Sequence, residues 1–159
     1  MSRDQFRVSI AMCTYNSAAF VEAQLESVLE QTRPADEIVV CDDGSTDGTV
    51  EIIERVAQKH RGLRLIRNRE RLSFVRNFEK AVGQTMGSII FLSDSDDVWF
   101  PDKVATILEA FVADPEIVMV YSDAVLTNAQ LVPVGGTVLD RRKAVGIRGT
   151  PTLRQLART

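Results

Sequence analysis

The sequence has few cysteines and no long hydrophobic segment. Only Cys13 and Cys41 occur among its 159 residues, and each ends a separate apolar segment, so we expect two buried, reduced thiols and no disulfide framework. The apolar segments, such as 117–121, are too short to cross a bilayer, and residues 1–7 are charged and unlike a signal peptide. Nothing in the sequence points to secretion, and we expect a cytoplasmic protein.

Several common catalytic motifs are also missing from the sequence. The chain contains no Walker phosphate-binding motif, no Gly-x-Ser-x-Gly turn, no His-Glu-x-x-His helix and no Cys-x-x-Cys pair. Kinase-like NTPases, serine hydrolases and zinc sites of these types therefore lack support.

Charge is distributed unevenly along the chain. Residues 1–123 carry 13 basic and 21 acidic side chains, whereas residues 124–159 carry six basic side chains and one acidic side chain. An acidic body argues against general nucleic-acid binding, which needs a basic face. We interpret the basic end as a solvated or incomplete segment. With 45% apolar and 26% charged residues, the composition is that of a soluble globular domain that can bury a core without disulfides.

Short apolar segments alternate with amphipathic ones along the chain. The predicted strands are residues 8–13, 38–41, 63–66, 89–92 and 117–121, and the predicted helices are residues 20–29, 50–57, 74–82 and 101–113. Ser17 is expected to cap the first helix. Strands that are apolar on both faces and alternate with helices are typical of an α/β fold with an open, mainly parallel sheet.

Polar residues follow most of the predicted strands. They are Thr14-Tyr15-Asn16, Asp42-Asp43, Asp94 to Asp97, and Asp123. In an open parallel sheet ligands bind outside the carboxyl ends of the strands, so we expect these loops at one edge. Clustered carboxylates repel one another unless a cation or hydrogen bonds hold them. Oxygen ligands favour Mg²⁺ or Mn²⁺, with water and substrate phosphates at the remaining positions, and the Asp94-Ser95-Asp96 group suits such an ion.

Asp43 suits a different task. A carboxylate at the end of the second strand can accept a hydrogen bond from a ribose hydroxyl or a base N–H. The alternative is that Asp42 and Asp43 only cap the second helix or satisfy the turn. Residues 43–54 also match the spacing of an EF-hand loop, but a β-type segment precedes them and a helix is predicted within them, so we set calcium binding aside.

Six motifs occur together in order along the chain. They are Thr14-Tyr15-Asn16, Glu22, Gln31-Thr32, Asp42-Asp43-Gly44-Ser45-Thr46-Asp47, Arg76-Asn77 and Leu92-Ser93-Asp94-Ser95-Asp96-Asp97-Val98-Trp99-Phe100-Pro101-Asp102-Lys103. Together they resemble the inverting family-2 glycosyltransferases of the GT-A fold, over residues 7 to about 125. The last motif is similar to that of rhamnosyltransferase-like enzymes of cell-surface polysaccharide synthesis. The resemblance implies a Rossmann-like, three-layer α/β/α fold, here truncated, and a hexosyltransferase type of activity.

The resemblance also implies a set of site residues. The nucleotide site is implied at Thr14, Tyr15, Asp43 and Arg76. Asp94 and Asp96 are implied to form a DxD site that holds Mg²⁺ or Mn²⁺ on the donor diphosphate, with Asp96 as the more direct ligand. The implied donor is a UDP-, GDP- or dTDP-linked sugar. The implied acceptor is a saccharide or lipid-linked hydroxyl, and any association with the inner face of a membrane would come from parts outside this chain.

The chain departs from the family pattern after the last motif. Family members take the acceptor-activating carboxylate from a segment well past the DxD, and after Asp123 this chain has only Asp140, which matches no family motif. We therefore expect a nucleotide-sugar-binding core at residues 1–125, an incomplete or disordered extension at residues 126–159, and no general base in this chain. The alternative function is a non-catalytic nucleotide-sugar-binding fragment or module.

Overall fold

A computed structural model of the chain describes residues 5–143. The chain divides into two compact units, of which the first ends at Val112 and the second begins at Ala113. The predicted boundary, after residue 125, lies further along the chain. The assignment of residues 1–125 to a nucleotide-sugar-binding core and of residues 126–159 to an extension stays a prediction. Among the described residues, no helix is both long enough and apolar enough to cross a bilayer.

Four strands and four helices alternate along residues 8–113. The strands are β1 (Val8–Thr14), β2 (Glu37–Asp42), β3 (Leu63–Arg67) and β4 (Ile89–Ser93), and the helices are α1 (Val21–Leu29), α2 (Thr49–Ala57), α3 (Ser73–Gly83) and α4 (Lys103–Ala113). The strands form one parallel sheet in the order β3-β2-β1-β4. The predicted α/β fold with an open, mainly parallel sheet is confirmed.

The two central strands carry the core of the sheet. β1 and β2 are buried along their whole length, because helices cover both faces of the sheet. On one face, Ala81 of α3 packs with alternate residues of β1 and β2, and partly buried side chains surround them. The residues of this cluster are Ala11, Cys13, Val39, Cys41 and Ala81, with Ile66, Phe78 and Val82 packed against it. Helices α1 and α2 contact each other. This arrangement agrees with the predicted α/β/α layers.

The first helix does not begin with the predicted side-chain cap. The backbone carbonyl of Ser17 accepts hydrogen bonds from the amides of Phe20 and Val21, both at 2.9 Å. No side chain caps α1, and the Ser17 hydroxyl instead lies 2.6 Å from Ser95 Oγ. The prediction of a Ser17 side-chain cap was therefore wrong, because a tertiary contact engages the hydroxyl.

The second unit lacks the strand predicted at residues 117–121. The structure assigns no strand to that segment, and Val118 and Met119 are 95% and 76% exposed. An apolar segment becomes a strand only where a neighbour supplies the ladder of hydrogen bonds, and neither sheet of the described residues offers one. This prediction was wrong, and the parallel sheet has four strands among the described residues.

An antiparallel hairpin follows instead. It consists of β5 (Val125–Thr127) and β6 (Pro133–Thr137), and α5 (Val138–Lys143) comes after it. Gly135 and Gly136 have φ values of 90° and 76°, which glycine adopts readily. Proline and paired glycines usually interrupt strands, and the sequence pattern therefore did not predict this hairpin.

Candidate functional site

The carboxyl ends of β1, β2 and β4 lie side by side at one edge of the sheet. β1 pairs with β2 on one side and with β4 on the other, so that Cys13 is level with Cys41 and Met12 is level with Ser93. The loops that leave these strands carry most of the predicted site. The residues placed at this edge are Thr14, Tyr15, Asp42, Asp43, Asp94, Asp96 and Asp97. Asp123 belongs to the second unit.

The loop after β1 is bonded to the loop after β2. The backbone amide of Asn16 donates to Ser45 Oγ at 2.9 Å, and Asn16 Oδ1 accepts the amide of Thr46 at 2.9 Å. The amide of Ala18 donates to Asp47 Oδ2 at 3.0 Å. Asn16 has a φ of 49°, a left-handed conformation that asparagine tolerates better than most residues. These reciprocal bonds fix two walls of the edge relative to each other.

Asp42 satisfies the turn after β2. Its carboxylate accepts hydrogen bonds from the Thr14 hydroxyl at 3.0 Å and from the amides of Gly44 and Ser45 at 3.1 and 3.0 Å. Asp42 is 1% exposed and Thr14 is 2% exposed. Asp42 thus has the local turn role that we considered as an alternative, and the Thr14 hydroxyl is directed into the protein.

Asp43 caps α3 from a distant point in the sequence. Oδ1 accepts hydrogen bonds from Asn68 Nδ2 at 2.8 Å and from the amide of Leu72 at 2.7 Å, and Oδ2 accepts the amide of Ser73 at 2.8 Å. Burial alone would raise the pKa of Asp43, but these hydrogen bonds and the nearby charge of Arg71 outweigh it and lower the pKa. An ionised carboxylate is favourable at a helix N-terminus. The helix that it caps is α3, not α2.

A polar network continues from Asp43 towards the core. Asn68 Nδ2 also donates to Asn77 Oδ1 at 2.8 Å, and Asn77 Nδ2 donates to the Cys41 carbonyl at 2.9 Å. Lys80 Nζ donates to Asn68 Oδ1 at 2.7 Å. Asn77 is 3% exposed, so its contribution is to join α3 to β2.

Arg71 contacts residues at this edge of the sheet, whereas the described residues give the Arg76 side chain no polar partner there. The Arg71 guanidinium lies 3.8 Å from the centre of the Tyr15 ring, and its Nε lies 4.0 Å from Asp43 Oδ2. Arg76, which the family resemblance indicated, is exposed, and its side chain has no hydrogen-bond or ion-pair partner within residues 5–143. Arg71 was not predicted as a site residue, because it is one of five arginines within residues 61–71 and nothing in the sequence distinguishes it from the others.

The Asp94, Asp96 and Asp97 side chains form an exposed acidic turn directly after β4. Burial raises the pKa of Asp94, and the negative charges of Asp97 and Asp96 raise it further. The described residues contain no group of three or more His, Cys, Asp or Glu side chains arranged to hold a metal ion by themselves. Mg²⁺ commonly takes only one or two carboxylates from the protein and the rest from water and phosphates. This donor set therefore fits a divalent ion whose coordination a bound ligand completes.

The acidic turn is attached to α1. The Gln24 side-chain amide lies 2.6 Å from Ser93 Oγ, and Ser27 Oγ accepts the Trp99 amide at 3.0 Å. Trp99 is 5% exposed and packs its ring against Phe91, with centroids 5.8 Å apart. The residues on both sides of the turn are thus fixed.

Cys13 lies between the two acidic loops. Burial raises the pKa of its thiol to about 12, and the negative charges of Cys41, Asp94 and Asp43 contribute in that order. Asp43 and Asp94 follow β2 and β4, the two strands that flank β1 in the sheet. The expectation of two buried thiols without a disulfide is confirmed.

Comparison with known proteins identifies the family. Residues 9–130 match the family model described as Glycosyl transferase family 2. The chain belongs to this family. Chondroitin synthase from Pasteurella multocida is 31% identical over 131 residues, which cover 82% of this chain and 13% of that protein. Chondroitin synthase from Escherichia coli is 32% identical over 123 residues, which cover 72% of this chain and 17% of that protein.

Solved glycosyltransferase structures have the same fold. The mannosyltransferase PcManGT from Pyrobaculum calidifontis, in complex with GDP-Man and Mn²⁺, aligns with a TM-score of 0.64 and 29% identity over 77% of this chain and 36% of that chain. TarS 1–349 from S. aureus, in complex with UDP, aligns with a TM-score of 0.60 and 28% identity over 67% of this chain and 32% of that chain. The predicted Rossmann-like GT-A fold is confirmed. The chain spans from 13% to 36% of the length of these four proteins.

Proposed function

We propose that this family 2 chain is the donor-binding part of a metal-dependent, inverting glycosyltransferase of the hexosyltransferase type. It would take a sugar from a nucleoside-diphosphate sugar for transfer to a saccharide or lipid-linked hydroxyl, in cell-surface polysaccharide or glycoconjugate synthesis. The observation that carries this proposal is that the acidic turn 94–97 and the Asp43 loop follow strands on opposite sides of β1, with Tyr15 directly after β1 itself. Relatives that make polysaccharide and neighbours solved with GDP-Man, UDP and UDP-GlcNAc support it.

The nucleoside is proposed to lie at the β1 and β2 loops. Tyr15 is 42% exposed and, with the Arg71 guanidinium beside it, offers a flat surface and a positive charge to a base and its phosphates. Asp43 accepts three N–H donors from the chain. A carboxylate has about four acceptor positions, so one hydrogen bond from a ribose hydroxyl or base N–H can still be accommodated.

The diphosphate is proposed to lie at the acidic turn. Asp94 and Asp96 would hold Mg²⁺ or Mn²⁺, because the repulsion between the two carboxylates favours a cation between them. Asp96 would be the more direct ligand. When bound, the ion would stabilise the negative charge on the departing diphosphate. The turn itself supplies two carboxylates on a loop that is fixed at both ends.

Thermal unfolding with and without ligands tests this proposal. We expect Mn²⁺ together with UDP, GDP or dTDP to raise the melting temperature, because the ligands bind the folded state only. Asp96→Ala should abolish the Mn²⁺-dependent part of the increase, and the matched control Glu79→Ala, an exposed carboxylate on α3, should retain it. An Asp96→Ala variant that keeps the full increase would contradict the metal assignment.

A titration with sugar nucleotides tests the donor assignment separately. UDP-, GDP- and dTDP-linked sugars are added in turn to the wild-type chain in the presence of Mn²⁺. We expect at least one of the three nucleotide types to bind in preference to the others. Equal, weak responses to all three would contradict a dedicated donor site at this edge.

A further inference from the structure

Gln24 is a fully buried polar side chain in α1, at 0% exposure. Burial of an amide costs free energy unless its oxygen and nitrogen are both hydrogen-bonded. The orientation that satisfies every neighbour has the Gln24 oxygen facing Trp99 Nε1 at 3.2 Å and Ser93 Oγ at 2.6 Å, and the nitrogen facing the carbonyl of Asp97. These three partners lie within residues 93–99, on both sides of the Asp94 and Asp96 carboxylates. A fourth partner, Ser27 Oγ of α1, lies 3.3 Å from the nitrogen.

We propose that Gln24 is a positioning residue that holds the acidic turn in the conformation that binds metal. The inference rests on the proposed function, in which Asp94 and Asp96 hold the divalent ion. The like charges of the turn repel one another, so an unsupported turn would spread them apart. A single amide bonded to residues before and after the carboxylates opposes that spreading. Groups that orient metal ligands affect metal affinity although they do not touch the ion.

Gln31 provides a matched comparison on the same side of the protein. It is 4% exposed, its Nε2 donates to the carbonyls of Phe100 at 2.8 Å and Ser27 at 3.0 Å, and its Oε1 accepts the amide of Val104 at 3.0 Å. Gln31 therefore fixes the start of α4 and makes no hydrogen bond to residues 93–97 among the described residues. A substitution there removes buried hydrogen bonds of the same kind without releasing the turn.

Trp99 supplies the measurement, since it is the only tryptophan in the chain. Paramagnetic quenching of its fluorescence by Mn²⁺, at saturating UDP, reports occupancy of the adjacent turn. We expect Gln24→Met to raise the Mn²⁺ dissociation constant about tenfold or more, the range found for residues that orient metal ligands. Gln31→Met should lower the melting temperature to a similar extent and leave the dissociation constant within about twofold of wild type, because the ligand geometry is intact.

Ser93→Ala is a milder second variant. It removes one partner of the Gln24 amide and changes little volume, so it tests the same link if Gln24→Met folds poorly. We expect it to weaken Mn²⁺ binding in the same direction, and the double variant to bind no more weakly than Gln24→Met alone, because both substitutions remove one shared interaction. Independent, additive losses would overturn the proposed link.

Amide hydrogen exchange in the metal-free chain separates this inference from the proposed function. Exchange over residues 94–99 should be faster in Gln24→Met than in Gln31→Met. Equal exchange in that segment, or equal Mn²⁺ affinities of the two variants, would overturn the positioning role. Failure of the wild-type chain to bind Mn²⁺ would contradict the proposed metal site, whereas the exchange comparison would still decide whether Gln24 holds the turn.

Discussion

Ser17 Oγ and Ser95 Oγ lie 2.6 Å apart and join the loop after β1 to the acidic turn after β4. Ser95 is the middle residue of the Asp94-Ser95-Asp96 group, so this contact bears directly on the two carboxylates. Together with the bonds between the β1 and β2 loops, it makes the edge of the sheet one connected set of loops. The conformation of the acidic turn therefore depends on residues from other loops.

Removal of the Ser95 hydroxyl tests this connection. Ser95→Ala should lower the free energy of unfolding by about 1 kcal/mol, the usual net value of one intramolecular hydrogen bond. The measurement is urea unfolding of Ser17→Ala, Ser95→Ala and the double variant. If the two hydroxyls act through one bond, the double variant should lose less stability than the two single losses combined. Fully additive losses would show that the contact contributes nothing.

Asp43 should make the stability of the fold depend on pH in the acid range. Its pKa in the folded state is lower than the ordinary value of 3.8, so the folded chain binds its proton less readily than the unfolded chain does. The stabilisation is therefore fully present above that ordinary value and is lost as the pH falls through the lower folded-state pKa. The free energy of unfolding, measured by urea titration at several pH values, should fall in this window.

The Asp43→Asn variant isolates this contribution. Its amide nitrogen would face backbone N–H groups that now donate to a carboxylate oxygen, so we expect a loss of about 2 kcal/mol at neutral pH. The variant should also show a shallower decrease in stability in acid than wild type. Some decrease should remain, because the pKa of Glu37 is lowered too: its burial opposes the shift, but hydrogen bonds from Ser9 and Met86 outweigh it. Parallel pH profiles for variant and wild type would contradict the role of Asp43.

The central strands could be predicted from sequence, whereas the partners of Asp43 could not. Burial on both faces leaves continuous apolar segments at 8–13 and 38–41, and such segments are visible locally. The bonds from Leu72 and Ser73 to Asp43 join positions 29 and 30 residues apart and leave no periodic pattern. Asp94 and Asp96, whose metal role stays a prediction, could be selected as a pair because both carboxylates belong to one short turn.

Contacts between distant residues also explain why the strand at 117–121 was predicted wrongly and why Arg71 was not predicted. Residues 117–121 are as apolar as a true strand, but apolar character does not indicate whether a neighbouring strand is present to pair with them. Arg71 stacks on Tyr15, a residue from a different loop. Only the folded arrangement separates Arg71 from the other arginines of its segment.

Ser73 offers a substitution that should stabilise the protein. Its φ is 66°, and a left-handed conformation costs a non-glycine residue about 1–2 kcal/mol. Glycine adopts this conformation without strain but loses about 0.4–1 kcal/mol through the greater entropy of the unfolded chain. We therefore expect Ser73→Gly to raise the free energy of unfolding by about 0.5 kcal/mol, measured by urea titration. Ser73→Ala keeps the strain and should give no increase; an equal increase in both variants would argue against relief of backbone strain.

Gly87 should tolerate no side chain. A Cβ at this position would lie 2.4 Å from Ser9 Oγ, 2.7 Å from Ser9 N and 2.8 Å from the Arg7 carbonyl. The Gly87 amide donates to Ser9 Oγ at 2.7 Å, and that hydroxyl donates to the buried Glu37 carboxylate at 2.6 Å. Gly87→Ala must therefore displace backbone and disturb a buried carboxylate, and we expect a loss of about 2–3 kcal/mol. Gly83→Ala is the matched control, because a Cβ added at Gly83 would have nothing within 4 Å of it. Alanine at this position should maintain or slightly raise stability. Equal unfolding midpoints for the two variants in urea would show that Ser9 and Arg7 yield without cost.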